Sequence, residues 1–137
     1  MSTLVSVIIP AFQEAATISE TVRAVTAALG SYPGVAAEII VVDDGSADQT
    51  GARAAAAGAR VVRLPRNHGK GPALAAGLNE AHGALLLILD ADTGESADGV
   101  VPLLGPALSG EADMTVGVLS TPAGHKGGFG LVKALAR

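Results

Sequence analysis

Hydrophobic positions fall in two alternating rhythms along the chain. Val5-Ser6-Val7-Ile8-Ile9-Pro10, Glu38-Ile39-Ile40-Val41-Val42 and Leu85-Leu86-Leu87-Ile88-Leu89-Asp90 are short, nearly continuous apolar runs. That is the pattern of strands buried on both faces, and Pro10 should stop the first. Ala59 to Leu64 is a third strand in chain order, more alternating and cut off by Pro65. Between the runs the spacing turns helical. Ile18, Val22, Val25 and Leu29 form one face of a helix that ends at Gly30 and Pro33-Gly34. Thr17 with Glu20, and Ser46 with Gln49, have capping-box spacing, with Thr17 and Ser46 as N-caps. The second box opens a short Ala-rich helix to about Ala57, closed by Gly58. Pro72 fits the first turn of the next helix, whose buried face carries Leu74, Leu78 and Ala81. Gly77 would let that helix approach the sheet closely, and Gly83 ends it.

The last third is less regular. A helix over Asp98 to Leu108 is weakened by Gly99, Pro102, Gly105 and Pro106. Asp113 to Val118 reads as a strand, Ser120 to Gly130 as a loop, and Leu131 to Arg137 as the start of a helix.

Strands alternating with helices through residue 90 predict an α/β fold, with a mostly parallel sheet covered by helices on both faces. Such sheets bind ligands at the C-terminal ends of their strands. Three polar clusters fall there: Pro10 to Glu14, Asp43 to Ser46, and Asp90 to Asp92.

Composition narrows the choice. A chain of 137 residues suffices for one domain with a core, and no internal repeat or low-complexity linker divides it. Its only aromatics are Phe12, Tyr32 and Phe129, so Val, Ile, Leu and Ala must fill the interior. The net charge is −4 and no Lys/Arg block occurs, which argues against nucleic-acid binding. With no cysteine, disulfides, thiol catalysis and Cys-ligated zinc are excluded. The longest aliphatic run, Ala84 to Leu89, is far short of the roughly 20 residues of a membrane span, and no signal-peptide order appears. The expected location is the cytoplasm.

The candidate chemistry lies in the strand-end clusters. Asp43, Asp44, Asp90 and Asp92 would put several carboxylates on one rim, where each raises the others' pKa unless a cation is shared. Mg²⁺ or Mn²⁺ would relieve the repulsion; a ligand N–H or hydroxyl would also suit an Asp, and so would plain turn chemistry. Arg66-Asn67-His68-Gly69-Lys70-Gly71-Pro72 is a basic, glycine-rich loop before a helix N-terminus. It reads either as an anion site or as a solvated loop. It lacks the spacing of a P-loop, and no dinucleotide fingerprint follows the first strand. His68, His82 and His125 are too scattered for a metal site, and Ser46 has no triad partners.

Taken together, these segments resemble family 2 glycosyltransferases of the GT-A fold. Val5 to Glu14 looks like that family's opening strand followed by Pro-x-aromatic-Asn-Glu, with Phe12 and Gln13 replacing the common Tyr and Asn. Val41-Val42-Asp43-Asp44-Gly45-Ser46, with Asp48 and Thr50, resembles its second motif. Asn67, Gly69, Lys70, Gly71, Ala73, Leu74 and Gly77 match its third, and Asp90-Ala91-Asp92 its D-x-D. The match covers about residues 4 to 95, with spacing most like the polyprenyl-phosphate sugar synthase (dolichyl-phosphate mannosyltransferase-like) branch.

The resemblance implies an inverting, metal-dependent transfer from a UDP- or GDP-linked sugar. Pro10, Ala11, Phe12 and Glu14 would line the nucleoside pocket. Asp44 would bind the base, with Asp43 supporting the loop, and Gly69 and Lys70 would lie near base or phosphates. Asp90 would face ribose or metal, beside Ala91, and Asp92 would hold Mg²⁺ or Mn²⁺ on the diphosphate. The family's general base lies well beyond the D-x-D, whereas this chain runs some 45 residues past Asp92. The expectation is therefore a single domain over 1–137, incomplete at its C-terminal acceptor part, with the base outside it. Glu111 and Asp113 match a base by residue type only. Lys126-Gly127-Gly128 resembles an acceptor-side loop or serves as a linker. A lipid acceptor would bring the protein peripherally to the membrane, and a shortened sheet would favour self-association. Two alternatives stand beside the enzyme. One is a non-catalytic donor-binding half that needs a partner. The other, a sugar-phosphate nucleotidyltransferase, lacks its expected glycine-rich first loop here.

Overall fold

The computed structural model describes residues 2–119 and 130–136, and the side-chain surroundings of residues 2–115. Strand β1 spans Thr3–Ala11 and is followed by helix α1, Ile18–Gly30. Strand β2, Val35–Asp43, leads to the short helix α2, Thr50–Ala56. Strand β3, Arg60–Arg63, leads to α3, Lys70–Glu80, and strand β4 is Leu85–Ile88. A 3-10 turn, Gly94–Val100, runs into α4, Val101–Ser109. Strands β5, Met114–Leu119, and β6, Gly130–Ala136, complete a sheet ordered β3-β2-β1-β4-β6-β5.

Strands β1 to β4 are parallel, and β6 and β5 continue the sheet in antiparallel pairing. The expected helix over Leu131–Arg137 is therefore corrected to strand β6 up to Ala136. Its residues pair with β4 on one side and β5 on the other, and this non-local pairing overrides what a short apolar run can specify alone. The expected loop keeps only its last residue, Gly130, among those described, and that residue begins β6. Lys126-Gly127-Gly128 and His125 lie outside the described residues. Pro10 does not stop β1, which continues to Ala11. Strand β4 ends at Ile88 opposite Ile8, whose carbonyl accepts from the Leu89 N–H; Pro10, two residues on, turns its nitrogen to that same side, now without a strand, where a missing N–H is tolerated.

The continuous apolar runs are explained by two cores. Val5, Val7 and Ile9 of β1, Ile39 and Val41 of β2, and Leu85 and Leu87 of β4 point to one face, under α1 and α4. Ile8, Ile40, Val42 and Leu86 point to the other, under α3. Each fully buried aliphatic side chain contributes about 1.5–3 kcal/mol. Helix α3 presses closest through Gly77, where an added Cβ would lie 2.6 Å from Ile8 Cγ2 and 3.0 Å from Val42 Cγ2. Its fully buried positions are Ala73 and Gly77, with Leu74 and Leu78 half-buried beside them. The weakened helix of the last third begins as 3-10 and carries Pro106 inside α4, ending at left-handed Gly110.

Candidate functional site

The chain leaves β1 toward β2 and β3 on one side, then returns to β4 on the other. This reversal opens a crevice at the C-terminal ends of the parallel strands. A cleft of about 300 Å³ occupies it, lined by Pro10, Ala11, Phe12, Glu14, Asp44, Asn67, Gly69, Lys70, Ala73, Asp90, Ala91 and Asp92. All four parallel strands contribute through the loops that follow them. Every nucleotide-sugar residue expected from the sequence lines it except Asp43. Asn67 and Ala73 belong to the third motif but were not singled out as lining residues.

Asp43, expected to support the loop, lies buried beneath the cleft. It is fully buried, and its Oδ1 accepts from the Ser46 N–H at 3.0 Å. Its Oδ2 has no hydrogen-bond partner and lies 3.7 Å from the Arg63 guanidinium. Gly51 makes room for it, since a Cβ there would lie 2.8 Å from Oδ2. Asp44 edges the cleft, and its two oxygens accept from the His68 and Gly69 N–H groups at 2.9 Å each. It thus holds the basic loop in place, while a carboxylate's further lone pairs still allow a ligand N–H. Gly45 is required where these loops cross. Its φ is +76°, and a Cβ would lie 2.4 Å from the Arg66 carbonyl carbon.

Neither capping box forms. Helix α2 starts at Thr50, and Ser46 Oγ instead accepts from the Gln13 N–H at 2.9 Å. Gln13 takes a left-handed φ of 56°, a region that suits Asn better than Gln. Its Oε1 accepts from the N–H groups of Ala47 at 2.7 Å and Asp48 at 3.3 Å, tying the loop after β1 to the loop after β2. Thr17 Oγ1 lies 3.2 Å from both Glu14 Oε2 and the Ala91 carbonyl, not on the helix N–H groups. Thr21, buried one turn on, donates to the Ala91 carbonyl at 2.7 Å. The sequence offered no sign of this, because the partners are 70 residues apart.

Charge is unevenly spread over the cleft. Burial raises the Glu14 pKa, a hydrogen bond from Thr17 opposes it, and the charges of Asp92, Asp48 and Asp90 raise it further. Lys70 reaches across to Asp90 Oδ1 at 2.8 Å. Among the described residues no group of three or more acidic, His or Cys side chains could hold a metal ion by itself. Asp90 and Asp92 supply hard oxygen donors, the set that suits Mg²⁺ or Mn²⁺ shared with a ligand's phosphates. Phe12 stands at the mouth, 46% exposed, as a flat apolar wall. Glu111 and Asp113 are exposed just before β5, which runs parallel to β4 and ends on the rim, so they sit at the opposite sheet edge.

The chain belongs to glycosyl transferase family 2, whose model matches residues 6–134. It is 34% identical to glucosyl-3-phosphoglycerate synthase of Mycobacterium tuberculosis, over 88% of this chain and 44% of that protein. It is 38% identical to undecaprenyl-phosphate 4-deoxy-4-formamido-L-arabinose transferase of Pseudomonas paraeruginosa, over 78% of this chain and 33% of that protein. The crystal structure of the Mycobacterium tuberculosis synthase in complex with Mn²⁺, UDP-glucose and phosphoglyceric acid superposes with a TM-score of 0.69. It is 35% identical, over 82% of this chain and 42% of that one. The fold is thus the expected GT-A α/β fold, and the chain spans less than half the length of these relatives. Among the described residues no helix is long and apolar enough to cross a membrane.

Proposed function

We propose that this chain forms the donor site of an inverting glycosyltransferase that takes its sugar from a UDP-linked donor. The observation that carries the reading is the cleft itself, where Asp90 and Asp92 face Lys70 beside the exposed ring of Phe12. Phe12 and Pro10 flank the base, Asp44 accepts from a base N–H, and Asp90 takes the ribose or the metal. Lys70 and the Gly69 backbone meet the phosphates at the start of α3. Asp92 and Asp90 would hold Mg²⁺ or Mn²⁺, which would supply positive charge against that developing on the departing nucleoside diphosphate. The acceptor oxygen bonds to the anomeric carbon as the sugar–phosphate bond breaks, and the acceptor's proton passes to a base. The relatives favour UDP over GDP, since the matched synthase structure holds UDP-glucose with Mn²⁺. They also define two acceptor chemistries, a phosphorylated small acid and a polyprenyl phosphate. The second would bring the protein to a membrane surface.

Calorimetric titration with UDP and GDP, with and without Mn²⁺, tests the reading. UDP binding should strengthen with Mn²⁺, and Asp92→Ala should remove that gain, a loss of at least about tenfold. Equal UDP affinity with and without the metal would defeat it.

A further inference from the structure

The two acids of the Asp90-Ala91-Asp92 turn are held by more than their own segment. Within the turn, the Thr93 N–H and hydroxyl both donate to the Asp90 carbonyl, at 3.2 and 2.6 Å. That closes the turn but leaves its orientation to the rest of the fold. The orientation comes from helix α1. Thr21 is fully buried, and its single hydroxyl joins two points of the turn. It donates to the Ala91 carbonyl at 2.7 Å and accepts from the Gly94 N–H at 2.7 Å. The Thr17 carbonyl is a more distant acceptor at 3.2 Å, so the one hydroxyl proton is best used on Ala91. Gly94 reaches this contact with φ +60°, a conformation that favours glycine.

The Ala91 carbonyl belongs to the peptide plane that leads into Asp92. The Gly94 N–H belongs to a plane two residues further on. Fixing both leaves Asp92 little backbone freedom between them, so the Cα–Cβ bond of this cleft-lining residue keeps one direction. We propose that Thr21 is a positioning residue: its hydroxyl orients the turn so that Asp92 and Asp90 present their carboxylates together to a divalent cation and a nucleoside diphosphate. The inference rests on the donor-site reading above. It adds a residue that touches neither the ligand nor the cleft surface. Groups that orient metal ligands in this way are worth about 10- to 100-fold in metal affinity.

The test is titration of Mn²⁺ and UDP into the wild type, Thr21→Val and Thr21→Ser. Valine keeps the shape and removes the hydroxyl; serine keeps the hydroxyl. Thr21→Val should lose about tenfold of the UDP affinity measured with Mn²⁺ and keep its metal-free UDP affinity. Thr21→Ser should restore the wild-type response. Thr21→Val with the full Mn²⁺ gain would overturn the inference, as would an equal loss with and without metal. If Thr21→Val does not fold, Thr21→Ala removes the same hydroxyl with a smaller side chain. It should show the same metal-dependent loss, and an unchanged Mn²⁺ gain there would count against the inference. A wild type with no metal-dependent UDP binding would overturn the donor-site reading and this inference with it.

Discussion

The two ends of the parallel sheet carry similar residues and use them differently. At the end away from the cleft, Ser6 of β1 faces Glu38 of β2, next to His82 after α3. Ser6 Oγ donates to Glu38 and accepts from the Gly83 N–H at 2.7 Å. The His82 N–H donates to Glu38 Oε1 at 2.6 Å, and its ring lies 3.3 Å from Oε2. Burial pushes the Glu38 carboxyl up, but the bonds from Ser6 and His82, with the His82 charge, outweigh it and hold the pKa low. At the rim, Glu14 is pushed up by burial and by three neighbouring acids, against one bond from Thr17. One end uses its polar groups on itself. The other concentrates negative charge around Glu14, with Lys70 set against Asp90. For these two glutamates the direction of the shift follows the surroundings, which residue type alone does not distinguish.

The contrast can be broken at several points, and the largest effect is expected at the rim. Gly45→Ala would force a Cβ into the Arg66 backbone at a left-handed φ, and should cost about 3 kcal/mol in urea unfolding. A cost below about 1 kcal/mol would mean that the crossing loops give way easily.

Glu38→Gln comes next. It removes a charged acceptor from three donors and should cost about 1–2 kcal/mol at neutral pH. The Glu38 pKa is depressed on folding, so its contribution is present above the ordinary value of 4.5. It is lost as pH falls through the lower folded value. Unfolding of Glu38→Gln followed from pH 7 to 3 should converge on the wild type at the acid end.

Glu14→Gln should have the smallest effect and the opposite sign. Its folded pKa is raised, so the wild type is relatively favoured below 4.5 and loses that advantage as pH rises through the folded value. The variant should be more stable than wild type at pH 7 by less than about 0.5 kcal/mol, seen as a slightly higher urea midpoint. A less stable variant would mean that Glu14 is a structural partner like Glu38.

Much of this organisation was legible because it is local or periodic. The strands, their order through residue 90 and the polar clusters at their ends follow from apolar runs and the breaks between them. The cleft residues followed from the family motifs. What escaped is non-local. The segment Leu131 to Ala136 is too short for periodicity to separate helix from strand, and its pairing with β4 and β5 decides. Thr17 and Ser46 have cap spacing, yet tertiary partners claim their hydroxyls. Asp43 and Asp44 are adjacent, chemically identical and both buried; residue type alone does not separate them, and it was the family resemblance that told the loop support from the cleft residue.

The most direct measurement is paramagnetic broadening of backbone amide signals by Mn²⁺ in the presence of UDP. Broadening should be strongest at Asp90 to Asp92, Ala11–Glu14, Asp44 and Asn67–Lys70, and weaker at Ser6, Glu38 and His82. Broadening centred on Glu38 and His82, or none at the rim with UDP present, would contradict the assignment of the two ends.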